Sequence, residues 1–156
     1  MHIWNIEKLK TDIVANSISE KEIFIYTLIY ITFSAAVMEV MLWLPETTTN
    51  IWDITDSISN VLIVFIGTIA AYNSNGGNNG AQFLERYFSI GFVVAMRFFV
   101  ILIPLLALLV LYYMYYIPDD EETLTSPIEV IPFLVWYAAL YWRICVHIKG
   151  VKKYNN

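Results

Sequence analysis

Thiol chemistry has almost no place in this chain. Cys145 is its one cysteine, so no disulfide forms within the chain, and a metal site built on cysteines is not expected. Histidine is nearly as scarce: His2 and His147 are the only two, too few to build a metal or haem site alone. Charge is thin, at 15% of residues against about 25% in an average soluble domain. No nucleophile–base pair, paired interior carboxylates or redox motif stands out. Arg143, Cys145 and His147 stand at i, i+2 and i+4, which on a helix turns the thiol away from the other two. The chain is therefore expected not to be an enzyme and to need no cofactor or metal. Positive charge is missing over two long stretches, from Lys21 to Arg86 and from Arg97 to Arg143. The first 22 residues mix Glu7, Asp12, Glu20 and Glu22 with lysines and hold no apolar core, so they do not read as a secretory signal.

What is abundant is apolar side chain, 58% of the 156 residues. Phe98 to Tyr116 reads FFVILIPLLALLVLYYMYY, nineteen residues without a charge. As a helix it is roughly 28 Å long, close to the ~30 Å hydrocarbon core of a bilayer. The expected fold is all-α, a single transmembrane domain with no separate soluble one. Four spans are expected, at about 23–44, 53–72, 92–116 and 128–148.

Helix boundaries carry their own signals. Ser19 and Glu22 fit a capping box, and Pro45 ends the first span. Residues 45–52 read as a loop. Gly67 and Ala71 form a small-xxx-small pair suited to close helix packing. Asn73–Gly80 (NSNGGNNG) is a break rich in residues that tolerate positive φ. Ser126, Pro127 and Glu129 start the last span, and Gly150 is the expected C-cap. Residues 1–18 set Ile3, Ile6, Leu9, Ile13, Val14 and Ile18 at helical spacing among charges. An amphipathic helix at about 2–18 is thus expected, its apolar face against lipid or against a neighbouring helix. The segment from Ala81 to Tyr116 is too long for one crossing. A second interfacial helix at 81–89 is expected, with a bend near Gly91 and a kink at Pro104.

Orientation follows from charge. All nine Lys and Arg fall at one side of this arrangement, and nine of the fourteen Asp and Glu fall at the other. The positive-inside bias then places both termini in the cytoplasm of a cell (inner) membrane protein, which requires an even number of spans.

Candidate sites follow the costly groups. Glu39, roughly 8 Å inside the first span, is expected to be functional, with Asp56 and Asn60 as its nearest polar candidates along an ion pathway. Arg86, Arg97, Arg143 and Lys149 suggest a basic pocket for an anionic lipid headgroup or another phosphate, against a plainer reading of snorkelling and pairing with acids. Asn75, Gly76, Gly77 and Gly80 are expected to form a hinge or docking loop. The acidic run Asp119–Glu122 reads as a solvated loop or a cation-concentrating mouth. Two functions are compatible with this pattern. One is a non-catalytic, self-associating scaffold or sensor subunit that docks a cytosolic or membrane partner. The other is a homo-oligomeric cation channel or membrane-depolarising effector of toxin or defence type. The expected partners are the lipid bilayer, copies of the chain and a cytosolic protein, and not nucleic acid.

Overall fold

The computed structural model describes residues 2–42, 49–116 and 124–154. All regular structure among them is helical: α1 (Ile6–Val14), α2 (Glu20–Leu42), α3 (Ile51–Asn75), a 3-10 turn (Gly77–Asn79), α4 (Phe83–Tyr116) and α5 (Pro127–Tyr154). Three helices are long and apolar enough to cross a membrane, over Ile51–Asn75, Phe83–Tyr112 and Pro127–Val151.

The starts of α2, α3 and α5 are written in capping chemistry. The Glu22 amide donates to Ser19 Oγ at 3.3 Å, and the Ser19 amide donates to Glu22 Oε2 at 3.4 Å. At α5, the Ser126 amide donates to Glu129 Oε2 at 2.7 Å. Asn50 caps α3: its Oδ1 accepts from Trp52 and Asp53, and the Asn50 amide donates to Asp53 Oδ2 at 2.8 Å. This reciprocal cap moves the start of α3 back to Ile51, inside the stretch expected to be loop, and makes Asp53 a capping residue. Gly76, at φ 114°, supplies the left-handed residue that ends α3.

The four long helices lie side by side in the order α2, α4, α5, α3, with the broadest contact between α3 and α5. Helices α3 and α5 run parallel. Asn50 Nδ2 donates to the Thr125 carbonyl at 2.7 Å at one end, and Gly67 lies under Tyr141 further along. Helices α2 and α4 are also parallel, joined by Tyr26 on Phe92 and Phe33 on Phe99 with ring centres 5.4 and 5.5 Å apart. Helix α5 runs antiparallel to α4, with Phe98 on Trp136 and Ile144 over Gly91. Among the described residues α2 approaches α4 alone of the long helices. A groove of about 230 Å³, lined by Tyr30, Phe33, Phe99, Trp136 and Tyr137 among others, separates α2 from α5. Among the described residues the arrangement is an open layer.

Two expectations about the ends change. Helix α4 passes unbroken through Gly91, so no separate interfacial helix at 81–89 exists. The excess length is covered by protein. Arg86, Ser89, Ile90, Phe92, Val93 and Val94 are all buried, and α1 lies across the same ends of α4 and α5. Helix α1 turns Ile6, Leu9 and Ile13 into a core shared with Ile90, Val93, Ile144, Ile148 and Val151. Of the two surfaces open to its apolar face, it uses the protein one. Each such side chain contributes about 1.5–3 kcal/mol of burial. Helix α5 continues past Gly150 to Tyr154, because Val151, fully buried, extends the seat of α1 by another turn. Gly150 is therefore a helix-interior residue. From Phe99 to Tyr112, by contrast, α4 exposes apolar side chains almost without interruption.

Candidate functional site

Helix α1 is the element that assembles charge at the packed end. Its N-cap, Asn5, accepts from the Lys8 amide at 3.0 Å, and the segment ahead of it is tied down twice. The His2 amide donates to Tyr26 Oη at 2.6 Å, and His2 Nε2 lies 2.6 Å from Asp12 Oδ2. This brings Trp4 against α4. Arg97 donates to the Trp4 carbonyl, and its guanidinium carbon stands 5.7 Å from the centre of the Trp4 ring. Further along, Gln82 Nε2 donates to Asn16 Oδ1 at 2.9 Å and fixes the other end of α1 to the start of α4.

Under α1 sits His147, 93% buried by its 7% residual exposure, its Nδ1 without a hydrogen-bond partner among the described residues. Among the charges that bear on it are Lys10 of α1, Arg143 of α5, Glu7 of α1 and Arg97 of α4. Lys10 donates to Glu7 at 2.8 Å. That contact holds the Glu7 carboxyl below its ordinary range, with exposure keeping the effect small. Arg143 is half-buried and has no ion-pair partner among the described residues.

The four cations expected to form one pocket are thus separated. Arg143 stands one turn from His147 on α5 and Arg97 faces Trp4, both at the end that α1 covers. Arg86 does not join them. It is buried, and its Nη1 donates to Asn75 Oδ1 at 3.0 Å. Lys149, six residues beyond Arg143, is exposed and falls on another face of α5. Asn75 in turn donates from Nδ2 to the Ala81 carbonyl at 3.0 Å. Gly80 passes so close that an added Cβ would stand 2.6 Å from both Asn75 Nδ2 and Asn75 O. Asn75, Gly76, Gly77 and Gly80 therefore form a turn built around one buried amide that anchors Arg86.

Along α3, Asp56 and Asn60 stand one turn apart, and one oxygen of each is buried without a partner among the described residues. Glu39 falls on α2, but its side chain, like Asp119–Glu122, lies outside the described residues. Pro104 lies inside α4 in the exposed apolar stretch. The described residues hold no group of three or more His, Cys, Asp or Glu placed to hold a metal ion.

Sequence reasoning missed Lys10, Trp4 and His147 as neighbours of the arginines. The available signal was Lys10 beside the Ile6–Leu9–Ile13 stripe, which places a cation on whatever surface α1 covers. It also missed the polar contact of Thr68 Oγ1 with Tyr87 Oη at 3.2 Å, beside the buried Tyr141. No family model, curated protein or solved structure matches the chain.

Proposed function

We propose that the chain crosses the cell (inner) membrane four times with both termini in the cytoplasm, and that it acts without catalysis. In this reading it is a self-associating scaffold or sensor subunit that docks a cytosolic or membrane partner. The fourth crossing is α2. Helix α1 rests on the last turns of α5, so the two ends of the chain share one end of the layer. Three crossings would separate them, whereas four bring them together. Helix α2, parallel to α4 and 23 residues long, spans roughly 34 Å. The cations collected at that end favour its being cytoplasmic.

The observation that carries self-association is the open layer. Among the described residues, α2 packs along α4 alone of the long helices and leaves Phe24, Leu28 and Ile31 exposed. Photobleaching of labelled chains in lipid nanodiscs tests it, with more than one chain per particle expected. Uniformly single chains would end the reading. Reporter fusions at Leu124 and Asn156 are expected in opposite compartments.

A second reading, a homo-oligomeric cation channel or depolarising effector with Glu39 in the outer part of its pathway, is favoured by the unpartnered oxygens of Asp56 and Asn60. Acceptors in an apolar segment call for a donor or a cation. Reconstituted conductance separates the two. A cation current lost in Asp56→Asn supports the pathway, and absence of current in any lipid supports the scaffold.

A further inference from the structure

The geometry points to a binding site for a phosphate-bearing anion between α1 and the inner parts of α4 and α5, formed by Lys10, Arg97, Arg143 and His147. Arg143 and His147 stand one turn apart on α5, Lys10 Nζ reaches the same helix, 3.6 Å from where a Gly150 Cβ would stand, Arg97 faces the Trp4 carbonyl ahead of α1, and Glu7 is the carboxylate paired with Lys10 among the described residues. Lys10 already holds that carboxylate, so the cluster keeps an excess of positive charge. Arg97 is oriented by the Trp4 carbonyl and ring. Arg143 has no acid to pair with among the described residues, and His147 Nδ1 is buried with none of its hydrogen bonds made there. An imidazole N–H and guanidinium N–H groups are donors that a phosphate oxygen accepts from.

The height of the cluster fits a lipid headgroup. Arg97 precedes the exposed apolar run that begins at Phe99 on α4. Trp4 and Trp142, 55% and 64% exposed, flank Arg97 and Arg143 as the amphipathic rings that favour the headgroup level. A free phosphate offers the same oxygens, and experiment separates the sources.

Native mass spectrometry of the full chain in detergent, titrated with phosphatidylglycerol, phosphatidylcholine or inorganic phosphate, tests the site. Phosphatidylglycerol is expected to bind more tightly than phosphatidylcholine. Lys10→Gln and Arg143→Gln should each weaken it about fivefold, as removal of one interfacial cation does. Lys149→Gln should leave it unchanged, and Arg143→Lys should keep most of it. Competition by inorganic phosphate would support a site for the phosphate group itself, and phosphatidylglycerol binding without competition would support a lipid site. Equal binding of both lipids with no response to phosphate would overturn the proposal. So would a Lys149→Gln loss as large as that of Lys10→Gln. Thermal unfolding of each variant without lipid identifies a fold defect, and Arg143→Lys then carries the test.

Discussion

Replacing Gly67 by alanine is the sharpest probe of the α3–α5 seam. A Cβ built there would stand 2.3, 2.5 and 2.9 Å from Tyr141 Cδ1, Cγ and Cβ. Real Cβ contacts essentially never fall below 3.0 Å. Tyr141 cannot simply turn aside, because its own Cβ is one of the clashing atoms and its ring is buried. The two helices must part, and Cys145 Sγ, 4.0 Å from the Gly67 carbonyl, parts with them. Overpacking of this kind costs about 1–3 kcal/mol, and the upper end applies where a Cβ is in the way. The gain in helix propensity returns about 1 kcal/mol, leaving a net loss of about 2 kcal/mol. Gly91 is the control, since a Cβ there would meet only Ile144 Cδ1 at 3.9 Å. Gly91→Ala should therefore be neutral or stabilising by up to about 1 kcal/mol. Reversible unfolding of both variants in detergent, followed by tryptophan fluorescence, measures the difference. Equal stability, or a Gly67→Ala variant more stable than Gly91→Ala, would refute the reasoning.

Three further outcomes follow from the same contacts. Asn75→Ala leaves Arg86 Nη1 and the Ala81 carbonyl without their partner; a loss of about 1–3 kcal/mol is expected, and Gly80→Ala should lower the melting temperature in the same direction by displacing that amide. Leu9→Ala empties a fully buried position under α1; its cost, about 2–5 kcal/mol at full packing, should appear as faster amide exchange throughout α1 while the middle of α3 is unchanged. The Glu7 carboxyl, lowered by its hydrogen bond from Lys10, contributes stability at pH values above its ordinary range and loses it as pH falls through the lowered value. Because the side chain is 68% exposed, Glu7→Gln should change exchange protection of α1 at pH 7 by no more than about 0.5 kcal/mol.

Local chemistry was readable without coordinates where it depends on neighbours in the chain. The starts at Ser19–Glu22 and Ser126–Glu129 are four-residue events: the first forms a reciprocal box, and at the second the Glu129 carboxylate accepts from the Ser126 amide and hydroxyl. The same device at Asn50–Asp53 straddles the expected boundary between a 45–52 loop and a span from 53, since Asn and Asp favour turns as well as caps. The small pair Gly67 and Ala71 marked a close approach, but nothing nearby in the chain said that Tyr141 fills it. The separate helix expected at 81–89 rested on a length argument that assumed bare helix in water. Helix α1 removes that premise by covering α4 below Arg97.

Composition and the placement of charge determined by themselves that the chain is helical, rich in apolar segments of bilayer length, and polarised with its cations toward one end. These properties are sums along the chain, and a sum needs no partner. Which arginine joins which neighbour is different. Arg86 and Arg97 stand on one helix, eleven residues apart, yet one anchors the Asn75 turn and the other meets the Trp4 carbonyl and ring. Only packing decides that: eleven residues put the two on nearly the same face of α4 but roughly 16 Å apart along it, and which segment reaches each level is set by how the helices assemble.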